Sequence, residues 1–521
     1  MMRFPTGKID GGRNLADNAN LYAHFSAGID AQPDKELLCT EAASSLSYAD
    51  VAARSAAIAA CLVRLGVEPG DRVSVQVAKS PEAMCLYLAC LRAGFVFHPM
   101  NPAYRTAELD YFINNAEPSV LVCDSSSQVE LQEIASGAGV ANVLTLDSDG
   151  RGTLADAADT ETSDFDVLPR QADDLAALLY SSGTTGVPKG IMLSHGNLLS
   201  NTQALVSAWG FSKSDRLLHA LPIFHVHGLF VALGCALYSG ASMRWLGSYD
   251  AATVMEYLPE CTVMMGVPTY YTRLLQQAGF GAATAENIRL FVSGSAPLLE
   301  ETFHEFEART GHRILERYGM TETNMNTSNP LDGERKPGTV GPPLPGVQAR
   351  IVDDAGNEVG SNEIGNLQVK GPNVFQGYWR LPEKTAEDFT ADGFFNTGDK
   401  GRIDDDGYVA IVGRAKDMVI TGGLNVYPKE IELLIDDIPG VRESAVIGVP
   451  HPDFGEAVFA VVVPDSDDVT EEQVIDVCKG ELANFKVPKQ VAFVDELPRN
   501  SMAKVQKSLL RERYQDAMSA T

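Results

Sequence analysis

The chain has 521 residues, 45% hydrophobic and 21% charged, with a formal net charge of −28. That length exceeds what one core usually serves, so two or more domains are expected. The acidic balance argues against nucleic acid or an anionic membrane as the main partner, and any anionic substrate needs a local cationic pocket. Eight cysteines include no C-x-x-C pair, and most sit in apolar runs such as AMCLYLAC at 83–90. Buried free thiols in a reducing cytosol follow. Residues 1–8 lack the apolar run of a signal peptide, and the apolar region 217–240 is broken by His219, Pro222, His225 and His227. The expectation is a cytoplasmic protein without stable membrane association.

Residues 1–30 read as a loosely ordered leader. A helix is predicted over 47–66, alanine-rich and closed by Gly66. A strand (72–78), two helices (81–93 and 106–116) and a strand (119–123) come next, an alternation that implies parallel sheets covered by helices. Residues 147–173, rich in Asp and Thr, read as a surface excursion. The apolar run 175–180 predicts a buried strand that enters SSGTTGVPKG at 181–190. Glycines that allow close backbone approach, hydroxyl donors and Lys189 suit a polyphosphate, although the spacing is not that of a Walker A loop. A helix start is predicted at Ser194-His195-Gly196-Asn197.

Strands are predicted at 215–221, 262–265, 288–292 and 313–317. The last two lead into Gly294-Ser295-Ala296-Pro297 and Tyr318-Gly319-Met320-Thr321-Glu322. Ligands bind at such carboxyl ends in open α/β sheets. From 337 to about 412 the texture is that of short strands and turns. Past the charged turn at 413–417 an α/β tail is expected, with strands at 444–449, 457–463 and 491–494.

Six stretches in this order (181–190, 294–297, 318–322, 397–399, 413–417 and 500–507) resemble the adenylate-forming enzymes: acyl-CoA synthetases, peptide-synthetase adenylation domains and luciferases. Within that family the likeness is greatest to malonyl-CoA synthetases, through HVHGL at 225–229, GVPTYYTR at 266–273 and ERYGMTETNMNTSNP at 316–330. The resemblance implies an α/β fold. A large N-terminal domain of parallel sheets with a small β-rich subdomain (1–415) would precede a small mobile α+β C-terminal domain (416–521). It also implies two half-reactions. A carboxylate attacks the α-phosphorus of ATP, giving an acyl-adenylate and pyrophosphate; CoA then displaces AMP. A carboxylate is already a nucleophile, so phosphate neutralisation and Mg²⁺ matter more than a proton-transferring base.

By resemblance, Thr184, Thr185 and Lys189 hold the β- and γ-phosphates, Thr321 bonds the α-phosphate and Glu322 binds Mg²⁺. Tyr318, with Gly319 beside it, stacks on adenine opposite the Gly294–Pro297 turn, while Asp399 and Arg414 hold the ribose. Lys504 bridges carboxylate and α-phosphate, with Lys507 as fallback; the glycine usual before this lysine is replaced by Ala503. Lys416 is the hinge, and Gly422, Gly423 and Leu424 line the CoA tunnel. For a small dicarboxylate, Arg273 is expected to pair the distal carboxylate, aided by His225, His227 and Ser295. Malonate is the favoured acid, with methylmalonate as a slower substrate. The rival readings are another short, medium-chain or aromatic acid, and a non-catalytic nucleotide- or acyl-binding homologue.

Overall fold

The computed structural model describes residues 18–180, 188–421, 424–451, 454–466, 468–482, 484–500 and 504–518. Two largely parallel sheets dominate it. In one, eight strands run in the order Asn324–Ser328, Leu315–Met320, Leu290–Ser293, Val263–Gly266, Arg216–His219, Ser242–Trp245, Glu36–Thr40, Ser45–Ser47. Its interior pairs are parallel, and each edge is closed by an antiparallel strand. The seven-stranded sheet is ordered Gly377–Tyr378, Gly190–Ser194, Leu175–Tyr180, Val96–Pro99, Arg72–Gln76, Val120–Cys123, Asn142–Thr145. The central strands Leu175–Tyr180, Val120–Cys123 and Val263–Gly266 are apolar on both faces, as sheets packed by helices on both sides require.

Local signals explain the helices between them. Ser47 and Asp50 form a capping box on Tyr48–Arg64, and Ser80 caps Pro81–Ala93, which ends at the left-handed Gly94. Ser194 and Asn197 cap His195–Ala208 reciprocally. One core joins both sheets, including Leu62, Leu88, Phe97, Leu205 and Trp209.

Two expectations need correction. Within the supposed leader, Leu21–Ala31 is a helix with Leu21, Tyr22 and Phe25 buried. Asn20 caps it and donates to Leu91 O and Leu168 O at 2.8 and 2.7 Å, tying it to the core. The excursion 147–173 contains the helix Thr153–Ala158, anchored by buried Leu154. Gly190–Ser194, to which the sequence assigns no element, is a strand antiparallel to Leu175–Tyr180, and the helix after it starts at His195 with Ser194 as its cap, as expected.

The β-rich segment is a four-stranded antiparallel sheet: Gln348–Val352, Gly365–Lys370, Phe395–Ile403, Val409–Arg414. A one-turn helix, Ala415–Asp417, follows. The C-terminal sheet is built around the long hairpin Val441–His451 and Gly455–Pro464, with Gln490–Phe493 added parallel. It carries its own core of Val446, Val458, Ala460 and Val462 against Ile431 and Ile435. No described helix is long and apolar enough to cross a membrane. All eight cysteines are free and buried.

Candidate active site

Where the carboxyl ends of both sheets meet, a cavity of about 430 Å³ opens. Pro99 and Tyr180 reach it from one sheet, Ser295 and Gly319–Glu322 from the other, and Arg414, Lys416 and Lys504 from the C-terminal side. Its described lining holds six basic side chains (Lys189, Arg317, Lys384, Arg414, Lys416, Lys504) against two carboxylates, Glu322 and Asp388. A chain of net charge −28 thus presents a locally cationic chamber, the arrangement an anionic ligand requires.

At one end, Asp399 and Arg414 face each other across adjacent strands, with Nε 3.1 Å from Oδ1. Asp399 is buried and also accepts a hydrogen bond from the Tyr318 hydroxyl. Burial, reinforced by the Asp399 charge, raises the Tyr318 phenol well above its usual value. Lys504 enters between these groups and the opposite wall. Burial, then repulsion from Arg414, pulls its ammonium down to about 8, against the attraction of Asp399 and Glu322. Its backbone is pinned by Asn500, whose N–H donates to Lys504 O at 2.9 Å and whose Oδ1 accepts from Lys504 N at 3.0 Å. Lys507, one turn on, pairs with the buried Glu432 and points into the tail's own structure. It is an anchor, not an alternative to Lys504.

The other wall carries the histidines. His225 and His227 are held neutral, chiefly by burial; His225 falls to about 3 with Lys504 and Arg317 adding repulsion. Ser295, at φ 71°, places Oγ 3.3 Å from His227 Nδ1. A left-handed non-glycine residue is backbone strain of the kind found at functional sites. The histidine loop is braced from behind. Lys79 Nζ lies 2.9 Å from His219 Nδ1, and His219 Nε2 lies 3.0 Å from Gly228 O, so Nε2 carries the proton. A Cβ on Gly228 would lie 2.0 Å from Pro222 O, so only glycine lets the loop close.

Between the walls lies Arg317, buried (3% exposed) and lining the cavity. Among the described residues its Nε and Nη2 have no hydrogen-bond partner. Burial draws the guanidinium down to about 9, which still leaves it charged at neutral pH. Gly294 makes room for it, since a Cβ there would stand 2.4 Å from the guanidinium carbon.

Residues 25–379 match the AMP-binding enzyme family, and residues 430–504 match the C-terminal domain of AMP-binding enzymes. The chain belongs to the AMP-binding enzymes. Its relatives include a malonate–CoA ligase of Arabidopsis thaliana, 37% identical over 477 residues (85% of this chain, 78% of that one). A feruloyl-CoA synthase of Amycolatopsis is 35% identical over 476 residues (90% and 94%). Among solved structures, ATP-bound MatB from Rhodopseudomonas palustris is 55% identical and covers 96% of this chain and 100% of its own, with a TM-score of 0.94. The apo form of the same protein gives 0.83. The conformation of this AMP-binding enzyme is thus nearer the nucleotide-bound one, in keeping with Lys504 inside the cavity.

Of the expected site residues, Lys189, His225, His227, Ser295, Gly319, Thr321, Glu322, Arg414, Lys416 and Lys504 line this one cavity. Tyr318 and Asp399 join it through Arg414. Thr184, Thr185, Gly422, Gly423 and Ala503 lie outside the described residues, and Leu424 opens the strand Leu424–Val426. Ala296 and Pro297 follow Ser295 in the turn after Leu290–Ser293. Arg273 is the correction: it is exposed on Pro268–Leu275 and does not line the cavity. The buried face of that helix, Tyr271, Leu274 and Leu275, packs into the core. Besides Arg414, the guanidinium lining the AMP-binding enzyme's cavity is Arg317, which the sequence reading did not single out.

Glu316, next to it, is buried (7% exposed), and burial pushes its carboxyl up to about 8 while backbone N–H groups of Leu298 and Gly338 bond to it. The folded state therefore holds this proton more tightly than the unfolded chain. The associated stability is complete below the unfolded carboxyl range and is lost as pH rises towards 8. Glu316→Gln is expected to leave the apparent Tm nearly unchanged at about pH 5 and to raise it by a few degrees at about pH 9. Thermal scans across that range check it; an equal shift at both ends would contradict the burial account.

Proposed function

We propose that this AMP-binding enzyme is an AMP-forming acid–CoA ligase whose acid is malonate. The observation that carries the acid is Arg317: a buried cation with two nitrogens that have no partner among the described residues, beside two neutral imidazoles and the Ser295 hydroxyl. A long acyl chain gains nothing from a buried charge, whereas the distal carboxylate of a small diacid repays its desolvation by pairing with it. The malonate–CoA ligase relative supports the same reading.

In this reading Arg317 fixes one carboxylate of malonate and points the other at the α-phosphorus of ATP. Arg414 and Asp399 hold the ribose, with Tyr318 against adenine and the Gly294–Pro297 turn opposite. Thr321 bonds the α-phosphate, and Lys504 lies between the attacking carboxylate and the phosphate, where negative charge accumulates. Lys189, with Thr184 and Thr185, takes the β- and γ-phosphates.

Glu322 fits a Mg²⁺ role: it is a carboxylate buried in the cavity wall, its pKa raised by burial and drawn back by Arg414 and Lys189. Among the described residues no cluster of three or more ligands could hold a metal alone. The ion would therefore arrive with ATP, its phosphates completing the shell, and when bound would offset their charge. The segment around Lys416 is the proposed hinge. Residues 416–521 would turn to withdraw Lys504 and bring Gly422, Gly423 and Leu424 to the CoA path. Eight unpaired thiols suit a reducing compartment, and we assign the cytoplasm.

The test is AMP release with ATP, Mg²⁺ and CoA across acetate, oxalate, malonate, methylmalonate, succinate and octanoate. Malonate is expected to lead, with methylmalonate slower because one methyl group discriminates by only about 1–3 kcal/mol. Turnover confined to monocarboxylates would sink the diacid assignment and keep the ligase.

A further inference from the structure

The phosphate end of the cavity holds a second ammonium group that no motif predicts. Lys384, on the helix Pro382–Asp388, lines the cavity together with Lys189, Tyr378 and Asp388. Its Nζ lies 2.9 Å from Asp388 Oδ1, while Lys189 Nζ lies 3.9 Å from Asp388 Oδ2. One carboxylate thus tethers two lysines at the same wall. Lys189 also sits 4.1 Å from the centre of the Tyr378 ring, and Tyr378 hydrogen-bonds Asp388.

Lys384 is fixed to the framework that presents Lys189. Gly377–Tyr378 pairs with Gly190–Ser194, the strand that begins just after Lys189, and Trp379 N donates to Gly190 O at 2.7 Å. The helix is docked onto that short strand by Thr385 Oγ1, which accepts from Tyr378 N at 2.9 Å. Both lysines are therefore attached to the same edge of the sheet. Lys384 also pairs with Glu387 at 3.1 Å, but its side chain is 40% exposed, so both pairs are solvent-screened. In an i,i+4 pair the acid-first order is the favoured one, and here the lysine comes first. A stronger anion can take the ammonium over.

Of the other four cations in the lining, Arg414 is committed to Asp399, Lys416 lies beside Arg414 and Asp417, Arg317 lies with the histidines, and Lys504 stands between the walls. A triphosphate tail carries several negative charges beyond what one lysine offsets. We propose that Lys384 is a polyphosphate-binding residue that joins Lys189 on the β- and γ-phosphates, with Asp388 as the positioning carboxylate that keeps the two ammonium groups side by side. This rests on the cavity being the nucleotide site.

The test is equilibrium binding of ATP, AMP and inorganic pyrophosphate, with Mg²⁺ present, to the full chain and to Lys384→Met and Lys384→Arg. Lys384→Met is expected to weaken ATP and pyrophosphate about tenfold and to leave AMP unchanged, because a hydrogen bond to a charged group is lost only where the tail is present. Lys384→Arg should recover most of the ATP affinity. Unchanged ATP binding in Lys384→Met would overturn the assignment. So would an equal loss for ATP and AMP, which would mark a structural role. A wild-type chain binding neither nucleotide would sink the nucleotide-site reading and this assignment with it.

Discussion

Arg317→Leu is expected to lower kcat/KM for malonate by about 10²–10³-fold, because a carboxylate then enters a buried site with no partner for its charge. Acetate, which lacks that carboxylate, should stay within about fivefold of wild type, so the ratio of the two acids is the readout. Arg273→Ala, on the exposed helix face, should leave malonate within about threefold. Steady-state AMP formation with both acids checks all three. If Arg317→Leu kept its malonate preference, or if Arg273→Ala lost it, the pocket would lie elsewhere. The same variant bears on the histidines. Arg317 repels protons from His225 and His227, so its removal relaxes part of the pressure that holds them neutral.

The second large effect is expected at Lys504. Lys504→Ala should slow adenylate formation by about 10²–10³-fold, the scale for removing one well-placed charge donor from a transition state. Thioester formation from presynthesised malonyl-adenylate and CoA should change little, since the lysine has no work in that half. Single-turnover assays of each half-reaction separate the two. Equal losses would point to a damaged fold. A pH limb accompanies it: with the ammonium pulled down to about 8, adenylation should fall as pH rises through that value and the charge is lost.

A motif such as Gly294–Pro297 was legible because it is a turn at a strand end, where residue identity is set by ligand chemistry rather than by packing. Most of the helices were legible for the same local reason, as with Ser47–Asp50 and Ser194–Asn197, where cap and period agree. Arg317 was not. It follows Glu316 in a strand buried on both faces, where alternation gives no hint which polar residue meets the cavity. Arg273 was chosen as a partner for a distal carboxylate, but it is exposed and lies outside the described cavity lining. Its segment begins at a strand end near the site, but the helix turns its charged face outward, and only the three-dimensional path shows that. The helix Leu21–Ala31 escaped because its burial depends on long-range bonds from Asn20 to residues 91 and 168, and a local window contains neither. Lys384 belongs to no motif and becomes visible only through the pairing of Gly377–Tyr378 with the strand after Lys189.

The free thiols give the chain built-in reporters of its own opening. Burial pushes Cys85, Cys123 and Cys261 up to about 12 and Cys478 up to about 11, so the native state offers alkylating reagents almost no thiolate. Labelling then proceeds through transient unfolding, and its rate at each site measures how often that region opens. Cys478 alone lies in the C-terminal core; the other cysteines all fall before residue 262. Mass-resolved labelling should therefore show whether residues 416–521 breathe independently of the rest. Saturating ATP should slow Cys478 most if the tail closes over the nucleotide, without any engineered probe.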